Sequence, residues 1–456
     1  MATARLSRSR PDKARATPRP TGGSPATVRM YRQGLGDCFL VLIPGNEGVA
    51  FSMLVDCGVA SGTMEAAAKI EAILNDVTKT TGGHLDLLIL THKHWDHLSG
   101  LVLAESLFSK LKIDELWLPW TEDPKDELAQ KLSAEQWRLR AALSVVSGRL
   151  KIEGAEDALV DELLALFGEA GSGFVEDALR IARAIAGPTR YCGPTDSPIE
   201  LRTGGAKIYV LGPPRDEGAI KRLMWCGEEF RCSVDQFLMD IATATIVPAR
   251  GAPFESSAEM SLASSRNMPF FQAYYWSEKV RLATGAPEAD VSWRRIDVEW
   301  LRTAPLVALY LDSTLDNMSL TFALELANGE IFLFAADAQV GSWLSWQELR
   351  WTVAGKMITS ADLLNRTVLY KVGHHGSPVG TLQEQGLERM YNLKMALIPV
   401  DSDMALNKGW TNMPFRDLEL RLNEITGGHC LRADRPVPPA LAGQVKQNSL
   451  YYEVKL

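Results

Sequence analysis

The sequence predicts an α/β layered fold, and two observations carry this prediction. Predicted strands and helices alternate from residue 28 to the loop 91–100, and a second series of strands follows Asn317. With 46% hydrophobic and 23% charged residues, the 456-residue chain has the composition of a globular protein that buries a sizeable core. This length corresponds to about one to three domains.

The first series of elements leads into a polar loop. Strands are predicted at 28–31, 38–43, 51–55 and 85–90. Apolar residues at helical spacing predict a helix over 63–80, between the last two of these strands. The strand 85–90 is apolar except for Asp86 and ends at Thr91, so it provides a rigid base for the loop that follows.

The second series contains a strong hairpin signal. Asn328-Gly329 separates two apolar runs, which is typical of a tight turn between antiparallel strands. Strands are predicted at 199–201, 207–211, 319–326, 331–335, 367–372, 394–400 and 451–454. Helices are predicted at 344–351, 360–364, 382–390 and 415–425.

The chain divides into a tail and one domain with two insertions. Residues 1–27 hold six basic residues, one acid and four prolines, which predicts a disordered tail. The domain spans 28–456, with insertions at about 121–198 and 217–303. The first insertion reads as two to four helices broken near Gly148, Gly154 and 171–173. The second is rich in Trp, Phe and Tyr, which favours a core or a docking surface.

Bulk composition excludes several classes of protein. No run of about 18 uncharged apolar residues occurs, so neither a transmembrane helix nor a membrane partner is expected. The N-terminus lacks the apolar segment of a secretory signal, and the six cysteines lie apart without a CxxC pair, so a cytoplasmic location is expected. The net charge of −8 argues against general binding of nucleic acid, which would need a local basic patch or metal ions.

The histidines are the unusual feature. Five of the seven form two clusters, His92, His94 and His97, and then His374 and His375. In the string Thr91-His-Lys-His-Trp-Asp-His97, His92 and His94 share one face of an extended segment, whereas Asp96 and His97 project to a second locus. Imidazole and carboxylate ligands suit zinc, manganese and iron. The loop therefore predicts one or two metal ions, and two such ions suit hydrolysis by a metal-activated water.

With these residues the sequence resembles the metallo-β-lactamase superfamily. The resemblance implies a four-layer αββα sandwich with a metal site at one edge. It also implies that Asp56, after an early strand, orients the metal loop, and that Asp337 is a bridging ligand, with Ala336 where the family usually has Gly. His374, after a later strand, corresponds to the last ligand.

Within the superfamily, the sequence looks most like the ComEC-like branch of competence DNA-uptake proteins and their soluble relatives. Three strings carry this resemblance: Gly34-Leu-Gly-Asp37, Asn317-Met-Ser-Leu320 and His374-His-Gly-Ser377. The motifs together span residues 28–400 apart from the two insertions. The branch implies nucleic acid as a substrate, although fold and function separate readily.

One departure from the family makes the two metal positions unequal. The superfamily commonly supplies a further histidine to the first position, but no histidine occurs between His97 and His374. His92 and His94 need another partner, for which Asp312, Asp316, Asn317 and residues near Gly212 are candidates. The second position is expected to use Asp96, His97, Asp337 and His374. We expect one strongly held ion, with zinc as the first choice, and one labile ion that favours added manganese or magnesium.

The remaining polar residues receive catalytic roles. Asp96 or Asp337 can accept a proton from the attacking water. His374 and His375 cannot both point the same way in an extended segment, so His374 is assigned as the ligand and His375 as a donor to the substrate or leaving group. Lys371 either meets an anionic substrate or is a solvated lysine at a strand end.

Three functions follow from these assignments. The first is a metal-dependent phosphodiesterase, expected to be a nuclease, with a patch of Arg281, Arg294, Arg295 and Arg302 beside Trp293 and Trp300 as a single-strand contact. The second is a metallohydrolase of a small substrate such as a cyclic nucleotide, a lactone or a thioester. The third is a hydrolase effector in a larger assembly, docked to a protein partner through the Trp-rich insertion.

Overall fold

The computed structural model describes residues 25–45, 49–152, 158–166, 174–222, 262–276, 279–280, 289–290 and 304–456. Two mixed sheets pack face to face in this part of the chain, and helices cover the outer face of each. This arrangement confirms the α/β fold class and the four layers. Apart from residues 25–27, the predicted tail lies outside the described residues.

The first sheet has eight strands and joins distant parts of the chain. In spatial order the strands are Lys446–Gln447, Tyr451–Lys455, Thr27–Tyr31, Cys38–Pro44, Ala50–Cys57, Leu87–Ile89, Leu116–Pro119 and Thr189–Cys192. Thr27 lies opposite Lys455 in an antiparallel pair, so a strand near residue 30 is hydrogen-bonded to a strand near residue 453. From Ala50–Cys57 to Thr189–Cys192 the pairing is parallel.

The second sheet has seven strands and carries the later half of the chain. In spatial order they are Cys430–Arg432, Met395–Ile398, Thr367–Lys371, Ile331–Phe334, Thr321–Glu325, Lys207–Gly212 and Ile199–Glu200. The antiparallel pair Thr321–Glu325 and Ile331–Phe334 confirms the hairpin predicted from Asn328-Gly329. Three small two-stranded sheets pair His84–Leu85 with Lys112–Ile113, Lys279–Val280 with Ala289–Asp290, and Arg350–Val353 with Lys356–Thr359.

Alternation of side chains along the strands divides the core into layers. Phe39 of the first sheet and Phe322 and Phe334 of the second belong to one apolar cluster between the sheets. The rings of Phe39 and Phe334 meet edge to face with centroids 6.0 Å apart. Strand residues of the opposite parity, such as Leu40 and Tyr370, face the outer helices instead.

Helices cover both outer faces. On the first sheet these helices are Ala66–Thr81, Trp95–Leu103, Glu105–Phe108 and Phe174–Ile185. On the second they are Val340–Trp346, Ser360–Asn365, Ser402–Asn407 and Arg416–Thr426. Short 3-10 turns occur at Trp120–Glu122, His374–Gly376, Leu387–Arg389 and Pro439–Leu441. Each helix buries an apolar stripe against its sheet, which fixes the loops at the strand ends.

A separate helical cluster lies beside the sandwich. Glu127–Ile152, Ala158–Ala165, Glu217–Ile220 and Ala304–Asp316 contribute buried apolar residues to one core, which includes Leu132, Val160 and Leu311. The helices predicted between residues 126 and 190 are therefore confirmed. Gly148, however, lies inside the first helix rather than at a break. The division into a domain and insertions stays a prediction.

The second predicted insertion is described only in part. Leu262–Arg266 and Pro269–Phe271 are helical, and Gln272–Trp276 forms a π-helical turn. Most of the other aromatic residues of this segment, the four arginines of the predicted patch, and Cys226 and Cys232 lie outside the described residues. Cys38, Cys57, Cys192 and Cys430 are buried free thiols. No helix in the described ranges is both long and apolar enough to cross a membrane.

Two helix predictions are wrong because tertiary contacts outweigh local pattern. Residues 382–390 form turns with a 3-10 segment at Leu387–Arg389, and Gly386 has a non-helical backbone before it. The helix predicted at 344–351 ends at Trp346, and Arg350–Val353 is a strand. Trp351 on that strand packs edge to face on Tyr209, with ring centroids 5.3 Å apart.

Candidate metal centre

Polar side chains from six parts of the chain converge on one buried locus. Asp56 lies at a strand end and His92, His94, Asp96 and His97 form the loop. The remaining side chains lie on or next to other helices, strands and turns, and they are those of Asp37, Asp312, Asp316, Asp337, His374 and His375. All of these side chains except that of His374 belong to buried residues. The structure therefore brings together every residue that the sequence assigned to the metal site.

Two glycines allow the loops to approach one another. A Cβ at Gly36 would lie 2.5 Å from the Asp96 carbonyl oxygen, and Gly36 has a positive φ of 133°. A Cβ at Gly58 would collide with the same backbone. In the observed packing the Asp37 amide donates to the Asp96 carbonyl at 3.1 Å. The Gly34-Leu-Gly-Asp37 string thus serves to seat Asp37 against the metal loop.

Asp56 holds the metal loop in the manner predicted for it. Its Oδ1 accepts the Thr91 amide at 2.8 Å, and its Oδ2 lies 2.8 Å from Nδ1 of His97. The contact on Nδ1 leaves Nε2 of His97 facing the centre. A carboxylate behind a ligating imidazole fixes the orientation of the ring and increases its basicity. Burial raises the pKa of Asp56, while the neighbouring His97 opposes that rise.

Four side-chain atoms lie together at the second metal position expected from the sequence. Nε2 of His97 lies 3.2 Å from Asp337 Oδ2, and Nε2 of His375 lies 3.0 Å from Asp96 Oδ2 and 3.4 Å from Asp337 Oδ2. Asp96 Oδ2 is 3.9 Å from Nε2 of His97. Ligand atoms about 2.1 Å from a tetrahedral ion are about 3.4 Å apart. The four atoms have the spacing of such a ligand shell.

Asp37 belongs to this locus but was not predicted. One atom each from Asp37, His97, Asp337 and His375 lies within 4.8 Å of the others. Asp37 faces Nδ1 of His375 at 3.5 Å and Nδ1 of His97 at 3.9 Å, on the opposite side of both rings from Asp96. It also forms an ion pair with Lys371. The position of Asp37 before a strand, after two glycines, was the signal available in the sequence.

Lys371 is buried, with 1% of its side chain exposed. The alternative of a solvated lysine at a strand end is therefore wrong. Its Nζ donates to the Ala336 carbonyl at 3.0 Å and lies 3.4 Å from Asp337 Oδ1, besides its ion pair with Asp37. These contacts place the cation behind the carboxylates, where it neutralises two of them.

His92, His94 and Asp316 form a separate group of possible metal ligands. Nε2 of His92 lies 3.0 Å from Nδ1 of His94, and Asp316 Oδ1 lies 3.2 Å from Nδ1 of His94 and 3.6 Å from Nε2 of His92. Asp312 Oδ1 lies 3.7 Å from Nε2 of His94. Of the four candidates left open by the sequence, the structure brings the two aspartates to these histidines.

Asn317 has a different role from the two aspartates. Its Nδ2 donates to the carbonyls of Ile220 and Arg222 at 3.1 and 3.0 Å, and its Oδ1 accepts the Ser342 amide at 3.0 Å. These contacts join the end of one helix to the start of another. Gly212 lies beside Thr321 and Ser342 and belongs to none of the ligand groups in the described residues.

His374 and His375 occupy a tight turn rather than an extended segment. Both have positive φ, 45° and 49°, within the 3-10 turn His374–Gly376. As a result His375 points to Asp96 and Asp337, whereas Nδ1 of His374 lies 3.6 Å from Asp316 Oδ2. The His374 side chain is 17% exposed, more than any other histidine of the centre. These distances bring His375 into the group of Asp96 and Asp337, and leave His374 beside Asp316 and nearer to solvent.

The electrostatics of the centre favour a cation. Six buried aspartates surround it, and within the described ranges Lys371 is the one lysine or arginine that pairs with any of them. Burial lowers the pKa of His92 and of His94, which keeps their imidazoles in the neutral form that binds metal. Burial would raise the pKa of Asp337, but His97, His375 and Lys371 outweigh it and hold that pKa well below its usual value.

The residues present fit one or two metal ions. Buried oxygens of Asp37, Asp96 and Asp316 accept no hydrogen bond within the described structure, and the same holds for Nδ1 of His374. Unsatisfied carboxylate oxygens are costly to bury unless a cation compensates them. Imidazole and carboxylate together suit zinc or manganese.

A third group of possible ligands lies away from this centre. His84, Asp86 and Asp114 are only partly buried, and Asp114 pairs with Lys112 and Arg202 as well as with His84. Asp86 accepts the Ser52 amide at 2.8 Å. Surface ion pairs account for this group.

Comparison with known families agrees with the geometry. Residues 31–175 match the model of the Metallo-beta-lactamase superfamily, a segment that includes Asp37, Asp56 and the whole metal loop. Members of that superfamily are commonly hydrolytic metalloenzymes, so the match indicates a metal-dependent hydrolase. No curated protein matches the chain. Asp312, Asp316, Asp337, His374 and His375 lie beyond the matched segment, and only the fold brings them to it.

Proposed function

We propose that this protein is a metal-dependent phosphodiesterase that acts on nucleic acid. One observation carries the proposal: the two ligand groups adjoin one another. Asp337 belongs both to the group of His97 and His375 and to a group with Asp316 and His374. Asp316, the carboxylate of the group with His92 and His94, therefore meets Asp337 beside His374. Two adjoining metal positions suit the displacement of one phosphate oxygen by another.

The chain supplies the ligands of both positions. His92, His94 and Asp316 would hold one ion, and Asp96, His97, Asp337 and His375 the other. When bound, such ions polarise the scissile phosphate and lower the pKa of a coordinated water. Asp337 and Asp316 lie where the two groups adjoin, and Asp56 and Asp37 contact the His97 and His375 rings of the second group from behind.

Protons move at two atoms in this scheme. Oδ1 of Asp96 accepts no hydrogen bond in the described structure, whereas Oδ2 lies beside His375, so Oδ1 is positioned to take a proton from the attacking water. His374 is the most exposed histidine of the centre, which suits a donor to the leaving oxygen. This assignment exchanges the roles expected for His374 and His375. Lys371 then acts as a positioning residue.

Nucleic acid is proposed from sequence motifs and charge. The Gly-Leu-Gly-Asp, Asn-Met-Ser-Leu and His-His-Gly-Ser strings resemble those of the ComEC-like branch, whose members include DNA-uptake proteins. The acidic chain offers no general attraction for phosphate polymers, so the metal ions themselves would supply the positive charge at the scissile group.

A substrate panel tests this function. The purified chain is loaded with zinc or manganese, its metal content is measured, and it is incubated with single- and double-stranded DNA, RNA, bis(p-nitrophenyl) phosphate, cyclic nucleotides and a lactone. We expect cleavage of nucleic acid and of the chromogenic diester. Cleavage of the lactone or a cyclic nucleotide with intact nucleic acids would replace the nuclease by a small-substrate hydrolase.

Variants tie the activity to the centre. Asp96→Ala and His97→Ala should each abolish turnover, whereas His429→Ala, on a half-buried histidine outside the four ligand groups of the described residues, should retain it. Full activity in the double variant Asp96→Ala/His97→Ala would show that the site is wrongly assigned. Size-exclusion chromatography of the active protein tests the proposal of an assembly, because a fully active monomer needs no partner.

A further inference from the structure

We propose that Asp316 replaces a third histidine at the first metal position and that Gln339 is the residue that positions it. The inference rests on the metal centre of the proposed function and specifies its first site. The result would be a position with two imidazoles and a carboxylate, which holds a hard, exchangeable ion. Its evidence is the geometry of His92, His94 and Asp316, and the contact behind Asp316.

The three ligand atoms form a triangle of the size that one ion requires. Its sides are 3.0, 3.2 and 3.6 Å, between Nε2 of His92, Nδ1 of His94 and Oδ1 of Asp316. One face of a tetrahedral shell has edges of about 3.4 Å. All three side chains are buried, with Asp316 fully so. The loop and the helix end thus present three donors to a single point.

Gln339 fixes which oxygen of Asp316 faces that point. Its Nε2 donates to Asp316 Oδ2 at 2.6 Å, and Gln339 is itself buried. Among the residues that the structure describes, none donates a hydrogen bond to Asp316 Oδ1. A buried carboxylate with one oxygen saturated and the other unsatisfied is the arrangement expected of a monodentate metal ligand with an outer partner.

A helix end delivers this carboxylate. Asp312 and Asp316 are one helical turn apart on Ala304–Asp316, so both face the metal loop. Asp312 Oδ1 lies 3.7 Å from Nε2 of His94, behind the ring nitrogen that faces the triangle. At this distance Asp312 forms no hydrogen bond with His94, unlike Asp56 with His97, and it adds a negative charge behind the ring.

The chemical type of the three ligand atoms determines which metal the first position prefers. Carboxylate oxygens suit manganese and magnesium, whereas a set of three imidazoles suits zinc more strongly. With Asp316 in the triangle, the first position should take manganese readily and release zinc more easily than a three-histidine site. Replacement of Asp316 by histidine should shift that preference back towards zinc.

Metal binding, measured apart from hydrolysis, tests the inference. The apoprotein is titrated with Mn²⁺ and with Zn²⁺ by calorimetry, bound metal is counted after gel filtration, and zinc loss to a chromophoric chelator is timed. Two ions per chain are expected for the unaltered protein and for His429→Ala. Asp316→Ala should retain one. Gln339→Ala should retain both, with the weaker site bound about 10–100-fold less tightly.

Asp316→His gives the opposite change and serves if Asp316→Ala fails to fold. It should keep two ions and release zinc from the weaker site at least about tenfold more slowly. That factor corresponds to about 1.4 kcal/mol in the activation free energy of zinc release. Two ions of unaltered affinity in both Asp316→Ala and Gln339→Ala would overturn the inference, and so would faster zinc loss from Asp316→His. If those results came with intact hydrolysis, the proposed function would stand; absence of metal from the unaltered protein would refute both.

Discussion

Oδ2 of Asp56 lies 2.8 Å from Nδ1 of His97, and Nε2 of the same ring lies 3.2 Å from Asp337. An imidazole on the helix Trp95–Leu103 thereby joins a strand end of the first sheet to the loop after a strand of the second. Asp56 has a positive φ of 52°, an uncommon conformation for an aspartate that this contact and two from Thr91 hold in place. The strain indicates that the position serves the site rather than the fold.

Replacement of Asp56 by asparagine should weaken the second metal position without emptying it. The amide cannot carry the charge that supports the His97 ring, so affinity for the tighter ion should fall by about 10–100-fold. Calorimetric titration with zinc measures this. Asp86→Asn is a matched control, because Asp86 also accepts a backbone amide and a hydroxyl, both from Ser52. Equal affinity in the two variants would contradict the supporting role.

Ala336→Gly should stabilise the protein. Ala336 precedes Asp337 with a φ of 47°, in the left-handed region that costs a non-glycine residue about 1–2 kcal/mol. After the loss of chain entropy with glycine, we expect a gain of about 0.5–1 kcal/mol in the free energy of unfolding. Urea denaturation of the apoprotein measures it. Ala338→Gly, nearby at negative φ, should instead destabilise, and a loss in both variants would contradict the argument.

Lys371→Met should destabilise the apoprotein by about 3–5 kcal/mol, because Asp37 and Asp337 lose a buried cation. Adding Asp37→Asn removes one of the two carboxylates that would be left without a cation. The double variant should therefore lose less free energy of unfolding than the two single variants together. A double-mutant cycle by urea denaturation measures this coupling. Strict additivity would mean that the pair contributes nothing as a unit.

Asp434, which belongs to none of the ligand groups in the described residues, should make stability depend on pH. Burial opposes its charge, but Arg432 and Ser402 donate to both oxygens and lower the pKa of Asp434 overall. A lowered carboxyl pKa contributes stability above the unfolded value of about 4, and that contribution is lost as the pH falls through the folded value. Asp434→Asn should therefore cost about 1–3 kcal/mol at pH 7 and progressively less below pH 4.

Denaturant titrations at pH 7, 5 and 3.5 measure that dependence. The exposed Glu384, replaced by glutamine, provides the control, with little change expected at pH 7. A difference between Asp434→Asn and the unaltered protein that stays constant across the three pH values would exclude the titration of Asp434 as the cause.

Local sequence patterns predicted the strands and the metal loop, because the signals for both lie in consecutive residues. Alternating or continuous apolar runs placed most strands of the two sheets within one or two residues. The spacing of His92, His94, Asp96 and His97 predicted their convergence without any knowledge of the fold. The ligand roles of Asp337 and His374 were predicted through resemblance to a family.

Residues whose role depends on packing were harder to predict. Gln339 has no local signal, since its importance comes from a helix that ends 23 residues earlier at Asp316. Asp316 could be named only as one of several candidates for the same reason. The two adjacent histidines were assigned from an extended backbone, whereas positive φ at both turns them in other directions.

The pairing of Thr27–Tyr31 with Tyr451–Lys455 has a consequence for synthesis of the chain. The strand that leaves the ribosome first among the described residues must wait for one of the last before its outer edge is covered. Until then a hydrophobic strand edge, with Met30 and Tyr31 beside it, is open to wrong partners. Such a long separation between partners favours slow folding, so the nascent chain is exposed to aggregation for longer than one built from local pairs.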